Sequence, residues 1–284
     1  MTRSARRPRR PRRTPRTRRT LRVAGAGAAA LLALSACSDS DSGSASDDGS
    51  GAGSGGSGEL SGEVTVFAAA SLTESFEKLG AQFEKKHPGT KVTFSFGGSD
   101  ALAASITGGA PADVFASASP TTMDLVTDAG VAAGTPATFV RNQLEIATLP
   151  GNPDGITSLK DLTGSGLKVV LCDEAVPCGA AAQKALDAAS LKLTPVSYEE
   201  DVKSALNKVV LKEADAAVVY ETDVQAAGDK VEGVDFPESA DAINDYPITL
   251  LKDAPNADAA EAFVELVQSA EGQKVLTGAG FLTP

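Results

Sequence analysis

From residue 64 to the end of the chain, short apolar runs alternate with longer stretches in which apolar residues recur every three or four positions. The runs at 64–67, 91–96, 114–116, 143–148, 168–171, 216–219 and 248–251 read as strands. The periodic stretches at 72–86, 101–107, 121–129, 180–189, 201–210, 258–268 and 272–278 read as helices. This alternation predicts α/β architecture, with βαβ units around mostly parallel sheets. Residues 138–149 follow a Gly- and Pro-containing loop and read as one long extended segment, a crossover between two lobes with a return near 241–246. Two lobes joined by two such strands leave a cleft, and pockets favour domain interfaces.

Two strand-to-helix junctions carry candidate chemistry. Val64-Thr65-Val66-Phe67 runs through Ala68-Ala69-Ala70 into Ser71, and Phe96-Gly97-Gly98-Ser99 repeats the arrangement. A helix start leaves backbone N–H groups without carbonyl partners and carries partial positive charge, so a hydroxyl there suits an anion. Taken alone, a serine at such a junction is more often a simple N-cap, and a tyrosine ending Ala216-Ala217-Val218-Val219-Tyr220 is more often a core edge.

The amino end changes the picture of where the protein works. Residues 1–36 hold eleven arginines and no acid, and end in an apolar run from Val23 to Leu34 and the sequence Leu34-Ser35-Ala36-Cys37. That run is too short to span a bilayer but fits a secretory signal peptide with small residues before the cut. Leu-Ser-Ala-Cys resembles the lipobox of bacterial lipoproteins, which makes Cys37 the expected lipidated first residue. Thr17-Arg18-Arg19-Thr20-Leu21-Arg22 looks like a twin-arginine export signal. A basic nucleic-acid-binding arm fits less well, because the apolar run ends in a cysteine. Residues 37–59, rich in Ser, Gly, Asp and Ala, have nothing to bury and read as a flexible tether. Eleven of the 26 basic residues lie in the leader, so 15 face 37 acidic ones in the remainder, a net charge of −22. Such a surface repels nucleic acid and acidic membranes. Arg141 is the only arginine beyond the leader, so an anion would have to be held by local dipoles in a neutral, donor-lined pocket.

Five motifs in order carry a family resemblance: Phe67-Ala68-Ala69-Ala70-Ser71-Leu72, Phe96-Gly97-Gly98-Ser99, Gly108-Gly109-Ala110-Pro111-Ala112-Asp113-Val114-Phe115, Glu200-Asp201-Val202 and Val218-Val219-Tyr220. Together they make the chain, from Gly62 to Phe281, resemble the molybdate-binding proteins of ABC transporters. The resemblance implies the type II periplasmic-binding-protein fold, two α/β lobes joined by two crossover strands with a ligand cleft between. Residues 60–140 with 243–284 would form lobe I and 141–242 lobe II. It implies a monomeric, non-enzymatic receptor without cofactor, lying outside the cytoplasm and held to the membrane only by its lipidated Cys37. The receptor would take molybdate or tungstate and deliver it to a membrane permease and ATPase. Position by position, Ser71 and Ser99 would each offer a hydroxyl and a backbone N–H, Cys178 and Val202 their N–H groups at helix starts, and Tyr220 its phenol. The metal itself would have no direct ligand. Binding through such a set suggests a dissociation constant on the order of 10 nM to 1 μM.

Molybdate and tungstate only accept hydrogen bonds, whereas monohydrogen phosphate must donate one, and a pocket of donors leaves that proton unpaired. Sulfate has the same charge and shape, so only cavity size excludes it. Two positions depart from the family pattern. Asp100, next to Ser99, would repel a bound dianion and is expected to cap outward, and Cys178 stands where a small apolar residue can occur. An exported compartment admits a disulfide between Cys172 and Cys178; two unpaired core thiols and a redox dithiol are the competing readings. His87, the only histidine, sits before a turn and reads as a cap on carbonyl groups. A Ser-His-Asp hydrolase would depend on it alone. The rival readings are a receptor for sulfate or another small anion, a serine hydrolase lipoprotein, and a structural or adhesive lipoprotein.

Overall fold

A computed structural model of the chain describes residues 59–284. The expected signal peptide, Cys37 and nearly all of the tether lie outside the described residues. The chain opens with β1 (Ser61–Ala69), a single 3-10 turn (Ala70–Leu72) and α1 (Thr73–Lys86), then β2 (Gly89–Gly97), α2 (Ser99–Thr107), β3 (Val114–Ala116), α3 (Pro120–Asp128) and β4 (Ala137–Asn142). It continues through β5 (Leu144–Thr148), β6 (Val169–Cys172), α4 (Pro177–Ala188), β7 (Ser197–Glu199), α5 (Val202–Val210), β8 (Ala216–Tyr220), α6 (Glu221–Ala227) and β9 (Glu232–Val234). It closes with β10 (Asn244–Leu250), α7 (Ala257–Gln268) and α8 (Ala270–Thr277).

These strands form two five-stranded sheets, ordered β2-β1-β3-β10-β4 and β7-β6-β8-β5-β9. In the first, β1 runs parallel to β2 and β3, and β10 is antiparallel to β3 and β4. In the second, β6 runs parallel to β7 and β8, and β5 is antiparallel to β8 and β9. The extended segment expected at 138–149 is in fact two strands, one in each sheet, with only Gln143 between them. The chain returns to the first sheet at Asn244, which lies directly opposite Asn142 in the antiparallel register.

Each sheet builds its own core. In the first lobe Phe76, Leu79 and Phe83 repeat at helical spacing on the buried face of α1, and Phe76 meets Phe94, Phe139 and Phe263 at ring-centre distances of 5.9–6.2 Å. The second lobe does without such a cluster. All five residues of β8 are buried, as expected of a strand covered on both faces, and they pack against small aliphatic side chains of α4 and α5. Helices α2 and α4 begin two and three residues earlier than their apolar periodicity suggests, because Ser99 and Pro177 occupy their first turns. Proline is well suited to that place, since its φ is already helical and its missing N–H would have no partner there. The short elements β7, α6 and β9 escape periodicity altogether. No helix among the described residues is long and apolar enough to cross a membrane.

Candidate functional site

Four of the five expected ligand positions follow the carboxyl ends of parallel strands, the usual place for ligands in open α/β sheets. Ser71 lies in the 3-10 turn after β1, Ser99 is the first residue of α2 after β2, Cys178 is the second of α4 after β6, and Val202 is the first of α5 after β7. The N–H groups of a first turn have no carbonyl within their own helix. Tyr220 ends β8. All five line one cavity of about 20 Å³ between the lobes, and none is more than 4% exposed. That volume holds a small ion or a water or two and is far below the few hundred Å³ of organic-ligand pockets.

No lysine, arginine or histidine lines the cavity. Asp201 does line it, but its carboxylate accepts from Ser204 N–H at 2.8 Å and from Ser204 Oγ at 3.1 Å, turned back into its own helix. Ala118 N–H donates to Ser99 Oγ at 3.0 Å. Tyr220 Oη accepts from Asn244 Nδ2 at 2.7 Å, and Ser71 Oγ lies 2.9 Å from Tyr246 Oη. Burial pushes the Tyr220 phenol well above its ordinary range, so it stays protonated and able to donate.

The site closes tightly. A Cβ on Gly98 would fall 2.6 Å from the Glu200 carbonyl oxygen, across the cleft. Gly179 is pressed likewise against the carbonyls of Cys172 and Asp173. Cys172 and Cys178 are joined by a disulfide, which fixes the loop that presents the Cys178 N–H; the thiol alternatives are set aside. Asp100 does not cap outward as expected. Gly98 caps α2 without a side chain, and one Asp100 carboxylate oxygen is buried beside Gly98 without a partner. His87 does cap α1, its N–H donating to Phe83 O at 2.8 Å and its ring against Phe83. It stands about 20 Å along that helix from Ser71, so Ser71 and His87 do not pair.

Three residues around the cavity escape sequence reasoning: Asn142, Asn244 and Tyr246. Asn142 is wholly buried and donates through Nδ2 to Thr222 Oγ1 at 2.8 Å and to Tyr246 Oη at 3.3 Å. The available signal was Asn142 inside a segment read as extended, since asparagine is depleted in strands.

Two α/β lobes with a buried, donor-lined cavity at their junction define a solute receptor. The chain belongs to the bacterial extracellular solute-binding proteins, whose family model matches residues 64–282. It is 45% identical over 221 residues to the molybdate-binding protein ModA of Mycobacterium tuberculosis strain H37Rv, covering 78% of this chain and 85% of that one. The periplasmic molybdate-binding protein of Azotobacter vinelandii superposes with a TM-score of 0.68 at 22% identity, covering 78% of this chain and 99% of that one. The sulfate-binding protein SubI of Mycobacterium tuberculosis H37Rv does so with 0.66 at 19% identity, covering 77% and 86%. These two structural likenesses establish the fold alone, and the fold by itself does not choose the anion.

Proposed function

We propose that this chain is an extracytoplasmic receptor for molybdate, and for tungstate, which closes two lobes over the bare dianion and hands it to the permease and ATPase of an ABC importer. The observation that carries the reading is the meeting of Ser71, Ser99, Cys178, Val202 and Tyr220, drawn from both lobes, around one small cavity without a lining cation. Hydroxyls and first-turn N–H groups there form a set of donors, each helix start adding partial positive charge. A fully ionised oxyanion satisfies them all, and no bond is made or broken. The 45% identity to a relative named for molybdate favours that anion over sulfate. Lipidation of Cys37 would keep the receptor at the membrane surface beside its permease.

The test is calorimetry and thermal unfolding of the full-length chain with molybdate, tungstate, sulfate and phosphate. Molybdate and tungstate should bind with a dissociation constant on the order of 10 nM to 1 μM. At about one hundred times that concentration each should stabilise the fold by about 2.7 kcal/mol. Sulfate binding with heat and stabilisation where molybdate gives neither would overturn the assignment.

A further inference from the structure

We infer that Asn142 and Asn244 are positioning residues: they fix the direction of hydroxyl hydrogens around the cavity and so let it refuse an anion that carries a proton. This rests on the oxyanion-receptor reading and adds to it the side chains that enforce its discrimination. The two asparagines face each other where both crossovers leave the first sheet, at the end of β4 and the start of β10.

Consider Asn244 first. Its Nδ2 lies 3.0 Å from Ala118 O, 3.3 Å from Pro177 O and 2.7 Å from Tyr220 Oη. Carbonyl oxygens only accept, so the amide nitrogen, not its oxygen, must face this cluster. The same nitrogen therefore donates to Tyr220, whose phenol accepts on that side and so has its own hydrogen available on the side of the cavity that it lines.

Asn142 acts through one more link. Its Oδ1 accepts from Gln143 N–H at 3.0 Å, which leaves Nδ2 to donate to Thr222 Oγ1 and, at 3.3 Å, to Tyr246 Oη. With the amide on one lone pair, Tyr246 has its hydrogen available for Ser71 Oγ, 2.9 Å away, and the inferred direction makes Tyr246 the donor there. Ser71 in turn accepts and keeps its hydrogen for the cavity. Ser99 is set in the same way by the Ala118 N–H, and the Ala118 carbonyl is one of the groups that orient Asn244. Three hydroxyls thus each receive a hydrogen bond from behind. A hydroxyl without neighbours can turn its hydrogen either way; in these three one lone pair is occupied from behind, which favours the hydrogen pointing forward.

The experiment compares molybdate, sulfate and monohydrogen phosphate on the full-length chain at mildly alkaline pH, by direct titration and by competition. The variants are Asn142→Ala, Asn244→Ala and Tyr246→Phe. Sulfate and monohydrogen phosphate are alike in charge and size and differ by a proton, so the ratio of their affinities reads hydroxyl direction. Each variant should bind molybdate about 3- to 30-fold more weakly and narrow the sulfate-to-phosphate ratio by about tenfold or more. Tyr246→Phe keeps the buried ring in place, so it carries the test should either alanine variant fail to fold. If all three anions weaken by one common factor, or if no affinity changes, the asparagines and Tyr246 are structural only and the inference is overturned. If the unmodified chain binds none of the three anions, the receptor reading falls and takes the inference with it, a failure distinct from an unchanged ratio.

Discussion

Lys203 on α5 sets its ammonium 2.8 Å from both carboxylate oxygens of Glu74 on α1, tying the second lobe to the first. On its other side the same ammonium lies 3.1 Å from Asp223, off the line of a hydrogen bond. Asp223 is wholly buried while Glu74 is half exposed. Burial raises the Asp223 carboxyl to about 6, against the pull of Lys203. For Lys203, burial acts downward but its two carboxylate neighbours prevail, and its ammonium is held above its ordinary range.

Those two partners should respond differently to mutation. Glu74→Gln removes an exposed pair of about 0.2–1 kcal/mol, so anion affinity should fall by about 1.5- to 5-fold with the melting temperature nearly unchanged. Lys203→Met strands the buried Asp223 charge and should destabilise the fold by about 3–5 kcal/mol at neutral pH. That loss should shrink as the pH falls and Asp223 takes up a proton. Urea unfolding of both variants across the acid range checks the contrast.

The cavity donors divide into side-chain and backbone groups. Ser71→Ala, Ser99→Ala and Tyr220→Phe each delete a hydroxyl, and each should weaken molybdate binding by about 1.5–3 kcal/mol, roughly 10- to 150-fold. Val202→Ala keeps its N–H and should matter much less. Arg141 pairs with Asp245 at 2.7 Å, is about half exposed and does not line the cavity, so Arg141→Ala should leave affinity intact. Calorimetry on the five variants would refute the cation-free site if Arg141→Ala abolished binding and the serine variants did not.

Reducing the Cys172–Cys178 disulfide should lower stability by about 2–2.5 kcal/mol on the chain-entropy estimate for so short a loop. It should also weaken anion binding, because the loop that offers the Cys178 N–H is released. Thiol titration of the untreated chain, with melting curves and titrations before and after reductant, would detect either failure.

Glu145 on β5 gives the chain a pH dependence near neutrality. Burial first, and then the charges of Asp235 and Glu221, raise its carboxyl from 4.5 to about 7. A carboxyl that holds its proton longer in the folded state adds stability below its ordinary pKa and loses it as the pH rises through the folded value. Glu145→Gln should therefore match the parent at about pH 4 and exceed it by about 1–2 kcal/mol at about pH 8, after discounting for partial exposure. Denaturant midpoints that stay equal at both ends would contradict this.

How much of this was legible in the sequence depended on whether a residue acts through its neighbours along the chain or across it. Ser71 and Ser99 sit at strand-to-helix junctions that apolar periodicity and turn chemistry mark locally, whereas Cys178, Val202 and Tyr220 came from the family resemblance alone. The two-lobe architecture followed from the alternation of elements and from the family resemblance. By contrast, Asn142 and Asn244 lie 102 positions apart and meet only because β4 and β10 pair, a register no local pattern encodes. Asp100 was misread for the same reason: its surroundings include Gly98, packed against Glu200 from the opposite lobe. The three-residue strands β7 and β9 are too short to show a period.

The contact between Gly98 and the Glu200 carbonyl also bears on time. On the proposed reading, an ion held where the lobes meet this closely would escape by the parting of the lobes. Residence time is then governed by the frequency of opening rather than by the breaking of any single bond to the ion. A transporter that collects such cargo gains nothing by competing for it and must instead prise the two halves apart, which places the control of release on the outer faces of the receptor.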